Sequence, residues 1–372
     1  MNSRRLQTDV FIVGGGPAGL ATAVAAQQRG LSVTLADGAV PPIDKACGEG
    51  FLPETLATLA ELRVEIPPDA GYPLRGIRFL QGDVEISAEF PTGPTLGLRR
   101  TVLHERLIAC AEQCGVRLLW STPVAGISVA GVHVPGEFIP ARWIVGADGS
   151  GSRVRRWSGL DRAHREEQRY AVRRHYRIAP WADYAEIYWG RCAQAYVTPI
   201  RHNEICVVIL AEQAEDAEFD SFLKDCPELA ARLSGAELCS RERGAVTLMH
   251  SLSSVYSGNV ALVGDASGGV DAITGEGLRL AFRQAISLAA AIEQGDLRLY
   301  GQAHHVLARK PMFIGDLLLM HGRNERLRTR SLRMLARRPQ LFARLLELHS
   351  GDAAWEEVLS VGAQFGWRFL AA

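Results

Sequence analysis

The chain has 372 residues, 47% of them hydrophobic, and its 41 basic side chains are balanced by 41 acidic ones. That length and composition exclude a disordered chain and predict more than one structural unit, and the balanced charge supplies no overall field to recruit nucleic acid or an anionic membrane. The seven cysteines, at 47, 110, 114, 192, 206, 226 and 239, form no CxxC pair, so neither a disulfide framework nor a metal site is expected. Cys110 and Cys114, four apart on a predicted helix, read as packed thiols. The opening MNSRRLQTD runs straight into a strand and reads as carrying no signal peptide. No uncharged apolar run is long enough to span a bilayer, and a cytoplasmic protein is expected.

Residues 8–37, TDVFIVGGGPAGLATAVAAQQRGLSVTLAD, predict strand, glycine turn, helix and second strand. Gly14, Gly16 and Gly19 fit the GxGxxG dinucleotide fingerprint: the first allows the tight turn, the second lets backbone approach a pyrophosphate, and the third packs helix on strand. Pro17 and Ala18 open the helix, where the missing N–H of proline costs nothing and the remaining free N–H groups favour phosphate. Asp37, ending the second strand, is placed to accept from a ribose hydroxyl. NAD and FAD are not distinguished by these residues.

Further along, 76–90, 169–179, 185–190, 193–200 and 204–210 alternate as strands and predict an antiparallel sheet assembled from separated parts of the chain. Two more apolar strands end in acids, at ARWIVGADGSG (141–151) and GNVALVGDASGGVDAITGEGL (258–278). Beyond about residue 300 the pattern is helical, with arginines at 323, 326, 330, 333, 337 and 344 interleaved with leucines. These helices read as a solvated packing face, with peripheral contact to lipid or an acidic partner as the alternative. No stretch stands out as a lipid tunnel.

Taken together, the GxGxxG turn, the Asp148-Gly149 segment and the Gly264-Asp265 segment resemble the flavoprotein hydroxylase superfamily, which also holds geranylgeranyl reductases and flavin-dependent halogenases. The resemblance implies an α/β fold: a Rossmann-like FAD-binding domain (1–75, 98–165, 244–300), a discontinuous antiparallel substrate domain (76–97, 166–243) and a helical C-terminal region (301–372). It implies non-covalent FAD, with Asp148, Gly264 and Asp265 at the middle of the cofactor and Arg100 near its phosphates or ring. Glycines 268, 269, 275 and 277 would let backbone run against the ribityl chain and ring, and a helix starting near Gly275 would aim its N-terminus at the ring. Ala272 departs from the proline usual in relatives.

DKACGEGFLPETL, residues 44–56, resembles both the geranylgeranyl reductase pattern around a cysteine and the GExxxP segment of halogenases. By that match Cys47 and Glu49 are candidate catalytic residues, against a buried structural thiol and a cap on the helix near Pro53. Halogenases of this type carry a lysine shortly beyond, whereas no lysine lies between 45 and 224, and arginine cannot replace that amine. Tyr188, Tyr196 and His250, together with His175 and Tyr176, are candidate cavity residues. The expected function is FAD-dependent oxidation of a hydrophobic, phenolic or polyketide-like molecule with O₂ and transiently bound NADH or NADPH. Flavin-dependent reduction of a carbon–carbon double bond is the alternative, with a halogenase or a non-enzymatic electron carrier less favoured.

Overall fold

The computed structural model describes residues 8–351 and 355–370. Its first sheet has five parallel strands in the order Val260–Leu262, Glu137–Gly146, Thr8–Val13, Val33–Ala36 and Arg117–Leu119. Each carries a short run of apolar residues, as expected of strands covered on both faces. Helices Pro17–Gln27, Arg100–Gln113 and Gly277–Gln294 bury Val10, Ile12, Leu20, Leu35, Leu107 and Phe282 on one face. Phe11, Val13, Ile144 and Leu262 pack on the other. The chain runs outward from Thr8–Val13 to Arg117–Leu119, then returns to the opposite side of Thr8–Val13 as Glu137–Gly146. Strand order therefore reverses between Val13 and Gly146, which opens a crevice at the carboxyl ends of those two strands.

A second sheet stands beyond that crevice. Its order is Arg243–Leu252, Ala163–Arg177, Glu204–Ala211, Ala193–Arg201, Tyr184–Trp189, Gly76–Gln81 and Val84–Glu89. All neighbours are antiparallel except Tyr184–Trp189 beside Gly76–Gln81, which run parallel, a departure from the expected all-antiparallel pairing. Strand Arg243–Leu252, placed by its sequence position with the nucleotide-binding part, pairs along its length with Ala163–Arg177 in this sheet. Side chains alternate across the pleat: Ile187, Trp189, Val208 and Leu210 face one way, and Tyr188, Ala195, Val207 and Ile209 face the other, under helices Phe219–Asp225 and Pro227–Leu233.

The C-terminal region is helical: Leu297–Arg323, Glu325–Ala336, Pro339–Ser350 and Trp355–Leu370. Its apolar stripe (Leu332, Leu335, Phe342, Leu346) packs on the Ile187 face of the second sheet, so these helices cap the substrate side of the molecule. Among the described residues no helix is long and apolar enough to cross a membrane.

His304, on helix Leu297–Arg323, sets its Nε2 2.9 Å from Ser267 Oγ and so ties this helix to the turn after Val260–Leu262. Burial, and then the neighbouring His305, push its pKa down to about 4. An unfolded imidazole titrates near about 6.5. Acidification across that window charges the unfolded chain while the folded imidazole stays neutral, so stability falls as pH falls. The full difference for this group is about 3 kcal/mol. Urea midpoints measured from neutral pH down to about 4.5 should fall, and His304→Gln should flatten that fall; an identical slope in the variant would remove His304 from the explanation.

Candidate active site

The crevice and the space beneath the second sheet form one continuous cavity of about 1160 Å³. At the nucleotide end, Gly14 has φ +113°, and a Cβ there would lie 2.4 Å from the carbonyl oxygen of Ala147. A Cβ on Gly19 would lie 1.9 Å from the Gly14 oxygen, whereas Gly16 faces open space. The first and third glycines are thus demanded by packing, and the second leaves backbone free to meet a ligand. Helix Pro17–Gln27 begins with no side chain capping its N–H groups. Asp37 accepts from the N–H groups of Gly15 (2.6 Å) and Ala39 (2.7 Å) and borders the cavity.

Sequence reasoning missed His104. Its Nε2–H donates to the Gly15 carbonyl at 2.7 Å, while Nδ1 accepts from the Ile43 N–H at 3.3 Å. Burial pushes its pKa below the usual imidazole range, and the neutral ring holds the glycine turn to helix Arg100–Gln113. Arg100, at that helix's start, lines the cavity, and its Nε is buried with no hydrogen-bond partner. Asp148 also borders the cavity, but its carboxylate accepts from Ser152 Oγ (2.5 Å) and from the N–H groups of Arg153 and Val154. It thereby holds the first turn of helix Arg153–Trp157, whose N-cap is Ser152.

The Gly264–Gly277 stretch divides into two uses of glycine. Gly268 and Gly269 pass the backbone of strand Arg243–Leu252, where a Cβ would meet the oxygens of His250 (2.7 Å) and Leu248 (2.6 Å). Their lack of a side chain is required by the protein's own packing, and Gly269 lines the cavity as well. Gly275, with φ +67°, and Gly277 face open cavity instead. Gly264 has φ +61° and packs on Ala18, with its N–H bonded to Gln284 Oε1. Asp265 pairs with Lys45 at 3.1 Å. Ala272 begins a 3-10 turn that does not need proline. Asp271 caps the turn by accepting from the Ile273 N–H (2.9 Å), and Asp271 is itself held by buried Arg169 (3.1 Å).

Cys47 and Glu49 both line the cavity but differ in their bonding. Cys47 lines the cavity on a loop whose Cys47 carbonyl accepts from the Cys206 thiol. Glu49 is 2% exposed and has φ +58°. Its Oε2 accepts from His175 Nε2 (2.8 Å), and its Oε1 accepts from the Arg100 N–H (3.0 Å) and from Arg173 (3.4 Å). Arg173 also grips both oxygens of Asp44, at 2.8 and 2.9 Å, and holds that carboxyl below the usual carboxylate range. Glu49 therefore neither caps the helix Pro53–Glu61, whose N-cap is Leu52, nor has an oxygen left unbonded. Its side chain fastens the Cys47 loop to the second sheet.

Of the candidate cavity residues, Tyr196 is the one that lines the cavity; its hydroxyl donates to the Ile273 carbonyl at 3.5 Å. Tyr188 lies on the opposite face and donates to Glu186 (2.8 Å), because its neighbours Ile187 and Trp189 face inward and the pleat alternates. Tyr176 packs with Phe219 on that far face too. His250 accepts from Arg155 at 3.0 Å behind the Gly268 turn, and His175 is buried under the Cys47 loop. The sequence also gave no sign of His349. This residue of helix Pro339–Ser350 lines the cavity, donates from Nε2 to the Thr274 carbonyl (2.8 Å), and sets Nδ1 3.5 Å from Glu276 Oε1. Burial pushes its pKa down. Its place at the cavity depends on a contact between residues 75 positions apart in the chain.

An open Gly16, an unpartnered Arg100 Nε and two uncapped helix starts, at Pro17 and Gly277, all border one cavity. They fit a long cofactor with a pyrophosphate at one end and a ring that gains negative charge at the other. That arrangement is an FAD-binding fold of the p-hydroxybenzoate hydroxylase and geranylgeranyl reductase type. The chain belongs to the family described as "FAD binding domain", whose pattern matches residues 7–305, and it is an FAD-dependent oxidoreductase. It is 27% identical over 339 residues to menaquinone reductase of Mycolicibacterium smegmatis, covering 83% of this chain and 81% of that one. It is 26% identical over 325 residues to digeranylgeranylglycerophospholipid reductase 1 of Methanothermobacter thermautotrophicus, covering 78% and 79%. The crystal structure of a flavoprotein/dehydrogenase from Cytophaga hutchinsonii superposes with a TM-score of 0.83 at 17% identity, covering 98% of this chain and 99% of that one.

Glu49→Gln tests the structural role of that carboxylate. The change leaves Arg173 against Asp44 alone, and breaking a buried ion pair costs roughly 3–5 kcal/mol. The thermal midpoint should drop by several degrees, with FAD released in parallel. A variant with the wild-type midpoint and bound FAD but slow turnover would instead support a catalytic role for Glu49.

Proposed function

We propose that the protein reduces a carbon–carbon double bond in a long apolar substrate of isoprenoid type. The observation that carries this reading is the cavity's extension away from the nucleotide end, where Ile187, Trp189, Leu335, Phe342, Leu346 and Phe365 line it. Its volume exceeds the roughly 300–1,000 Å³ usual for a single small ligand, which suits a cofactor and a chain-like substrate together. The names of the relatives, menaquinone reductase and digeranylgeranylglycerophospholipid reductase, favour the same class.

Hydroxylation of a phenol would call for a base to ionise it. Among the described residues lining the apolar end, the histidines are His321 and His349. His321 is hydrogen-bonded at both nitrogens, by the Leu317 carbonyl and Ser331, whereas His349 is bonded at Nε2 to Thr274 and its buried Nδ1 has no hydrogen-bond partner. That Nδ1 lies against Glu276 Oε1, 3.5 Å away.

Bound FAD supplies the electron pair, drawn from NADH or NADPH. Gly14, Gly16 and the helix starting at Pro17 would hold its pyrophosphate, with Arg100 beside it. The free N–H groups at the start of helix Gly277–Gln294 would favour negative charge on the ring. Reduction adds two electrons and two protons across the double bond, and Cys47 Sγ, lining the cavity on a loop fastened by Glu49, holds a proton for one of the carbons. The apolar walls exclude water and orient the chain.

The test is the mass of the product formed from a polyprenyl quinone or a geranylgeranyl lipid by the FAD-loaded enzyme and NADPH under ¹⁸O₂. A gain of two hydrogens supports reduction; incorporation of ¹⁸O overturns it in favour of a monooxygenase. Cys47→Ser should keep the flavin spectrum and slow turnover roughly tenfold or more, about 1.4 kcal/mol of barrier. A change confined to stability would mark Cys47 as packing alone.

A further inference from the structure

Besides Ala272, Gly275 and Gly277 along the cavity floor, the exposed residues that line the cavity include two groups. At the carboxyl edge of the parallel sheet they include Gly38, Arg153 and Asp265. Between helices Leu297–Arg323 and Trp355–Leu370 they are apolar: Phe313, Leu317, Met320 and Leu359. The two helices abut through Phe313 on Trp355 (ring centroids 5.6 Å apart) and His321 on Phe365 (6.1 Å). Positions 313, 317 and 320 share one face of the first helix, and 359, 363 and 367 share one face of the second. Leu359 is 63% exposed and Trp367, one turn beyond the mouth, 73%. An apolar strip around an open mouth is a marker of an interaction site.

The charge around this strip indicates what covers it. From residue 297 to 370 the sequence holds twelve Lys or Arg and six Asp or Glu. Arg309 lies over the Trp355 ring (4.6 Å) and Arg330 over the Phe369 ring (4.5 Å), which puts cations beside the apolar strip. Tryptophan and leucine flanked by arginine suit the boundary between acyl chains and anionic headgroups. A twofold contact between copies would instead bring the same arginines against each other.

We propose that this seam docks on a lipid bilayer bearing anionic headgroups, with Leu359 and Trp367 among the acyl chains and the cavity mouth opening into them. The inference rests on the cavity read above as the substrate site and is independent of the reaction performed there.

The FAD-loaded full chain is sedimented with vesicles of equal parts phosphatidylcholine and phosphatidylglycerol, and with phosphatidylcholine alone. Binding to the anionic vesicles should be roughly tenfold tighter or more and weaken with added salt. Leu359→Ser/Trp367→Ser should lower it by at least roughly tenfold. Trp367→Ser alone, outside the cavity, should lower it in the same direction and guards against misfolding of the double variant. Absence of vesicle binding, or binding untouched by either variant, overturns the proposal. So does a lipid-free dimer in sedimentation velocity that Trp367→Ser dissolves. Vesicle binding with no reduced product would fault the reaction instead, whereas reduction of detergent-dispersed substrate without vesicle binding would fault the docking.

Discussion

The structure turns on one buried carboxylate. Glu49 sits where three parts of the chain meet: the loop after the second strand, the start of helix Arg100–Gln113, and strand Ala163–Arg177. A charge so far from water is costly unless it is fully paired. Here the pairing groups come from both halves of the molecule. Satisfying Glu49 therefore requires the nucleotide-binding sheet and the substrate sheet to be in register with each other, and the positive φ at this residue is held by the same bonds. Cys47, two residues earlier, inherits its position from that arrangement.

The cap over the apolar end follows from this frame. Helix Pro339–Ser350 can cover the second sheet because the sheet presents an unbroken apolar face through Ile187, Val208 and Leu210. Its one polar reach toward the cofactor turn, His349 to Thr274, lands where Asp271 and Arg169 have already fixed the backbone. Burial holds the imidazole below its usual pKa there, against the pull of the Glu276 carboxylate 3.5 Å from Nδ1.

Much of this was legible in the sequence. The glycine turn, the acids ending three strands and the discontinuous sheet are local patterns of period and residue type, and these carry through to structure. Which face of a strand looks inward is not local. Alternation shows that Tyr188 and Tyr196 belong to strands, but only the packing of helices on one side decides that Tyr196 meets the cavity and Tyr188 does not. The same limit hid the apolar end of the cavity, because an amphipathic helix stripe looks identical whether it closes on solid core or on open space. It also hid Glu49's true partners, since His175 and Arg173 lie more than a hundred residues away, and the crowding of Gly268 and Gly269 by backbone oxygens of a distant strand.

The cavity runs without a break from the glycine turn to the C-terminal helices, and its lining changes from backbone N–H groups and charged side chains to aliphatic and aromatic ones. Polarity is therefore graded along its length. A molecule with a charged head and an oily tail has one orientation there, because the reverse would bury its charge among Leu335, Phe342 and Leu346 without a partner.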